Sequence, residues 1–365
     1  MTHSFNYFAG QLHTDYGTQT SVLSPLPVLT GLDANDSEYL AKKNNHYIDI
    51  GGVVGTVFQT QLYVSVCVMM LFFFIGLNYL MLKQDPSTSF INFVTLKQML
   101  SYSSVAELIG SGGNPFALFV FFMTMLLIIF WFSFLFMLST RDLRRQLPLR
   151  FHRQRREVMF SRWNKKTRKI ETKVVPWEEV IAFVNCNKLF LGAGVMAQSV
   201  LVIGANDETQ ENTSWASIAL SSISPLMVTK HWEMIRRFME EGSDAIGQPK
   251  PTTFKGLMEE YCLERDIPLE QFPTYIRFWW EINFTRLGLL ATRYRMWRCY
   301  KHPRKHAEFE AWSQPIPESE WVKPSKELIQ LNERLTKRYQ NGDCSSLLDA
   351  GLIVELEMSD IKRMA

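Results

Sequence analysis

Charge is missing from two long stretches of this chain: no Asp, Glu, Lys or Arg occurs between Asp49 and Lys83, or between Glu107 and Arg141. Uncharged segments of that length are not solvated loops, and they exclude a simple water-soluble globular chain as the plainest reading. Arginine is absent from residues 1–140, which carry four Lys against seven acidic residues. Cysteine is sparse, and Cys67, Cys186, Cys262, Cys299 and Cys344 form no C-x-x-C pair. An odd, scattered set excludes a disulfide framework and a structural zinc site. Catalytic signatures are missing as well: there is no Walker loop, nucleophile elbow, kinase set or H-E-x-x-H. Gly192-Ala-Gly194 lacks the third glycine of a dinucleotide fingerprint and reads as a hairpin turn. His302 and His306 share their segment with Arg304 and Lys305, which repel a dication. The expectation is a non-enzymatic chain without metal or cofactor.

What is present is aromatic. The 365 residues include 26 Phe, 12 Tyr and 10 Trp, which excludes a disordered chain. The two uncharged stretches contain apolar runs over about 62–82 and 115–138. A helix of about 20 apolar residues covers the roughly 30 Å hydrocarbon layer, so both runs are predicted to be transmembrane helices. The most polar residue of the first is Asn78, and Thr124 and Ser133 are mildly polar ones in the second. With no ionisable residue there is no proton relay, and those three side chains are expected to bond a neighbouring helix. Residues 141–170 carry 12 Lys or Arg, among them Arg141, Arg144, Arg145, Arg150, Arg153, Arg155 and Arg156, against Asp142 and Glu157. The loop between the runs carries Lys83 and Lys97. Positive charge stays inside, so both termini are expected in the cytoplasm, with the arginines as topology determinants or lipid headgroup contacts. No nucleic-acid-binding signature accompanies them.

The expected fold is therefore an α+β membrane protein in four parts. A polar N-terminal leader (1–49) precedes a transmembrane hairpin (50–140). A basic segment with an antiparallel β module resembling a pleckstrin-homology (PH-like) domain follows (141–245), then a helical C-terminal region (246–365). Short runs such as Val158–Phe160, Val180–Val184 and Val200–Ile203, set between polar turns, predict the strands. His231–Glu241 places Trp232, Ile235, Phe238 and Met239 on one helical face, with Gly242 as the stop. Tyr275–Trp297 reads as one long helix, too rich in arginine for a third span. Two readings stay open for it: a core helix, or a helix at the membrane surface with Trp279 and Trp280 towards lipid. Lys326–Tyr339 is a surface helix with Leu328, Leu331 and Leu335 on one side.

Three strings, Arg150-Phe-His-Arg-Gln-Arg-Arg-Glu-Val158, Pro176-Trp177 and His231–Gly242, resemble an uncharacterised family of proteobacterial membrane proteins. Genes of that family often lie beside those for type VI secretion and polymorphic toxins. The resemblance implies a bacterial inner membrane and a part in interbacterial competition. Two functions follow from it, a membrane-anchored immunity or accessory factor or a secreted pore-forming effector assembled from several copies; a third, plainer reading is a lipid- or partner-sensing anchor with no link to competition. The expected partners are the lipid bilayer, another membrane protein or toxin, and further copies of the chain, but not nucleic acid.

Overall fold

Strand β4 (Tyr47–Ile50) pairs with β5 (Leu149–His152), although almost a hundred residues separate them in the chain. The computed structural model describes residues 7–15, 18–34, 40–51, 56–84, most of 123–141, 147–191, 194–205, 215–222, 224–301 and 307–364. The chain divides into two units, and the first is assembled from residues 1–54, 143–251 and 296–365.

Unit 1 contains two antiparallel five-stranded sheets. One runs in the order β1-β2-β8-β9-β10, from β1 (Leu12–Asp15), β2 (Thr18–Ser24), β8 (Ile181–Leu191), β9 (Gly194–Ala205) and β10 (Trp215–Ser222). The other, β3-β4-β5-β6-β7, adds β3 (Leu40–Lys43), β6 (Glu157–Asn164) and β7 (Lys169–Pro176). Helix α2 (Pro225–Glu240) starts with Pro225 in its first turn and stops before Gly242, whose φ of 112° suits glycine. It buries Trp232, Ile235, Phe238 and Met239, the face its periodicity predicts, against β8, β9 and β10. The shared core runs from Leu23 and Ile48 through Phe151, Trp177 and Ile203 to the C-terminal helices. There α7 (Lys326–Asn341), capped by Ser325 and by left-handed Gly342, buries Leu328, Leu331 and Leu335. Helix α8 (Gly351–Met364) packs on α7.

Unit 2 comprises residues 55–142 and 252–295. It holds α1 (Thr56–Gln84), α3 (Phe254–Glu264), α4 (Thr274–Ile282) and the greater part of α5 (Thr285–Lys301). The short α6 (Ala307–Trp312) returns the chain to unit 1.

Three expectations are corrected. Among the described residues no helix is long and apolar enough to cross a membrane, so the transmembrane hairpin is not the fold. The multi-pass inner-membrane placement rested on that hairpin and falls with it. The first run does lie in α1, but the helix opens with Thr56, Gln59, Thr60 and Gln61, and Gln61 donates to Thr285 of α5 at 3.0 Å. The second run lies partly outside the described residues, and those described between 123 and 138 are helical. Missing charge says that a segment avoids water, not that lipid is what covers it. The PH-like module over 141–245 is also replaced, because six strands from 149–222 are completed by four from the polar leader. Those four are short and rich in Thr, Ser, Asp and Lys, which hides them from a search for β-branched runs. Finally, the long helix over 275–297 breaks at Phe284, whose φ of 55° separates α4 from α5.

The crossing of Gly10 and Gly351 tests this packing. A Cβ on Gly351 would sit 2.3 Å from the Gly10 carbonyl oxygen, with backbone on both sides. Gly351→Ala is expected to lower stability by about 1–3 kcal/mol, read as a shifted urea midpoint with unchanged slope.

Candidate functional site

The β4–β5 register sets Asp49 opposite Arg150. Both are buried, and the guanidinium grips the carboxylate through Nε–Oδ1 at 2.6 Å and Nη2–Oδ2 at 2.7 Å. Its third nitrogen donates to Ser313 Oγ at 2.6 Å, and the Tyr47 and Phe309 rings lie 3.9 and 4.2 Å from its carbon. Burial opposes the charge on Arg150, but its partnership with Asp49 holds the pKa above the ordinary arginine value. Beside it, burial pushes His152 down to about 4, helped by Arg155, His46 and Arg150 and opposed by its bond to Gln314. The ring is therefore neutral near pH 7. Its Nε2–H donates to the Gln314 carbonyl at 3.2 Å, which leaves Nδ1 as the acceptor.

One turn further on, Arg156 gathers the second cluster. It bridges both Glu240 oxygens at 2.8 Å and Glu178 Oε1 at 3.0 Å. Glu240 also accepts from Trp177 Nε1 at 2.9 Å, and Glu178 from the Ser325 amide at 3.0 Å. The three strings singled out in the sequence thus meet at one place, through Arg156, Trp177 and Glu240. On α2, Glu233 is fully buried and accepts from Arg236 and from the amide and hydroxyl of Thr30. In these clusters each carboxylate is engaged by arginine, indole, hydroxyl or amide donors. They join strands to helices and offer a substrate no activated nucleophile. Among the described residues no group of three His, Cys, Asp or Glu is placed to hold a metal ion.

Unit 2 presents a different surface. The buried side of α5 sets Leu289 beside Thr285, Gly288, Thr292 and Arg295, with Arg295 2% exposed. Arg295 donates to Gln59 of α1 at 2.7 Å, and Gly288 lets Val57 of α1 approach so closely that a Cβ would lie 3.0 Å from it. Leu287 and Leu290 of α5 are exposed. Helix α4 exposes Tyr275, Phe278, Trp279 and Ile282, at i, i+3, i+4 and i+7; Phe278 is 65% and Trp279 61% exposed. Along α1, Phe58, Leu62, Val66 and Met69 form another exposed stripe. Leaving such side chains in water forgoes about 1.5–3 kcal/mol each, so an array of them marks a contact surface.

The residues predicted as sites separate accordingly. Arg150 and Arg156 are internal ion-pair members rather than headgroup contacts, because the β4–β5 pairing and the turn after β5 bring carboxylates to them. Arg155 donates to the Trp312 carbonyl at 3.2 Å, and Arg153 lies against Gly242 and 5.9 Å from the Trp321 ring. Arg141 is exposed, whereas Arg144 and Arg145 lie outside the described residues. Asn78 is in α1 with its side chain outside the described set, Thr124 is half-buried and Ser133 exposed; without a spanning helix none is assigned an intramembrane role. Trp279 is exposed, but Trp280 turns inward among Phe254, Tyr261 and Phe272, with ring centroids 5.4–6.0 Å away. Sequence reasoning missed the acids Asp49, Glu178 and Glu240. Glu178 and Glu240 stand in or beside the same strings as the arginines, and that adjacency was the available signal.

Residues 116–316, more than half of the chain, match the model of a family of unknown function, DUF6708. The chain belongs to this family. No curated protein matches it, and neither does any solved structure.

Two predictions follow from the ionic clusters. Asp49→Asn leaves Arg150 buried without its counter-charge and is expected to cost about 3–5 kcal/mol, whereas Asp49→Leu with Arg150→Met restores most of it in thermal unfolding. His152 binds its proton less readily when folded, so its contribution is complete above about pH 6.5 and is lost as pH falls towards about 4. Stability should fall by up to about 3 kcal/mol across that window, and more shallowly in His152→Gln, as read by urea titrations at several pH values.

Proposed function

We propose that this chain works by binding rather than by catalysis, with the outward apolar face of unit 2 as its contact surface. The observation that carries the reading is α4, which turns Tyr275, Phe278, Trp279 and Ile282 outward on one face, with Leu287 and Leu290 of α5 exposed as well. An exposed apolar face of that kind fits an apolar partner. In the competition setting that the resemblance implies, the chain would act as an immunity or accessory factor. The pore-forming alternative is not carried forward, since its lining of Asn78, Thr124 and Ser133 depended on the spans.

Photo-crosslinking in producing cells tests the reading. A crosslinking residue at Phe278 or Leu290 should form adducts, while one at Lys165 or Glu320 on the surface of unit 1 should not. Equal labelling at all four positions, or none at Phe278 and Leu290, would falsify it.

A further inference from the structure

Helices α4 and α5 carry six cations, Arg277, Arg286, Arg293, Arg295, Arg298 and Lys301, against the single acid Glu281. Glu281 is taken by Arg286 at 2.6 Å, and Arg295 is buried against α1. Arg277 and Arg293 are exposed, on the same two helices that turn Tyr275, Phe278, Trp279, Ile282, Leu287 and Leu290 outward. From this we infer that the α4–α5 face docks side-on to an anionic lipid surface. The inference rests on the binding role proposed above and names its partner.

Three features select this occupant. Aromatic side chains on a short amphipathic helix sit at the depth of the acyl–headgroup boundary, and the break at Phe284 lets two short helices lie on a surface without crossing it. Arginines among those aromatics match phosphate-bearing headgroups, to which they donate in pairs. A second copy of the chain would bring the same cations face to face, which disfavours self-association through this surface. A partner protein would need an acidic, apolar groove of matching shape, and that is the rival outcome of the test.

The experiment is flotation of the purified full chain with phosphatidylcholine vesicles, with and without phosphatidylglycerol. The expected result is strong binding to the anionic vesicles, weakened by salt, and little to phosphatidylcholine alone. Arg277→Gln with Arg293→Gln should weaken binding about 30-fold, equal to about 2 kcal/mol at 1.4 kcal/mol per tenfold. Phe278→Ser with Trp279→Ser should lose at least about tenfold. All four side chains are exposed, so thermal unfolding should be unchanged and loss of binding cannot be loss of fold. The inference is overturned if the wild-type chain stays unbound, if both vesicle types bind alike, or if the variants bind as the wild type does. Protein adducts at Phe278 and Leu290 without vesicle binding would sink the lipid assignment and leave the binding role standing. Absence of both would remove the two together.

Discussion

The pairing of β4 with β5 is the constraint on which unit 1 depends. Asp49 and Arg150 are 101 residues apart, and most of the intervening chain belongs to unit 2. Closing a loop of that length costs about 4 kcal/mol beyond a constant term, and the ion pair does not repay it, because desolvation cancels most of what two buried charges gain. The apolar core must supply the energy. What the ion pair adds is register. Sliding β5 by one residue would turn Phe151 out of the core and leave Arg150 buried away from its carboxylate. The aromatic rings above and below Arg150, and Ser313 at its third nitrogen, admit a single placement of the guanidinium.

The same care over charge runs through unit 1. Arg156 joins the turn after β5 to the end of α2, and Glu233 joins α2 to Thr30. Each link connects segments distant in sequence, so the ionic clusters hold together a unit that the chain enters three times. Unit 2 follows the opposite rule. Helices α1 and α5 meet through threonine, glutamine, glycine and arginine, and although Leu289 and Trp280 turn inward, many other leucines and aromatics are exposed. That exposed apolar surface is the observation behind the binding role proposed for the chain.

The family match adds a boundary that the sheets do not respect. Residues 116–316 contain β5 to β10 and α2 to α6, but β1 to β4 and the two C-terminal helices lie beyond it. Without β2 and β4, strands β8 and β5 would be open edges and Arg150 would lose Asp49. The family segment is thus the larger part of a core that its flanks must complete.

Helices with a buried stripe could be read from the sequence alone. Trp232, Ile235, Phe238 and Met239 on α2, and Leu328, Leu331 and Leu335 on α7, sit at spacings that only a helix brings to one side. The strings around Arg150, Trp177 and His231 also stood out, since arginine, tryptophan and glutamate crowded into short segments need partners. Which partners was decided by tertiary structure: Asp49 reaches Arg150 through strand pairing, and Glu240 reaches Arg156 through the packing of α2. Strands as short as β1, β3 and β4, four residues each, gave little local signal, because a strand gains its stability from neighbours that in β4 and β5 lie almost a hundred residues apart. The apolar runs show the same limit. Lack of charge marked α1 as apolar, but a sequence records hydrophobicity and not what covers it, so the polar contacts of Gln59 and Gln61 with α5 appeared only in the folded chain.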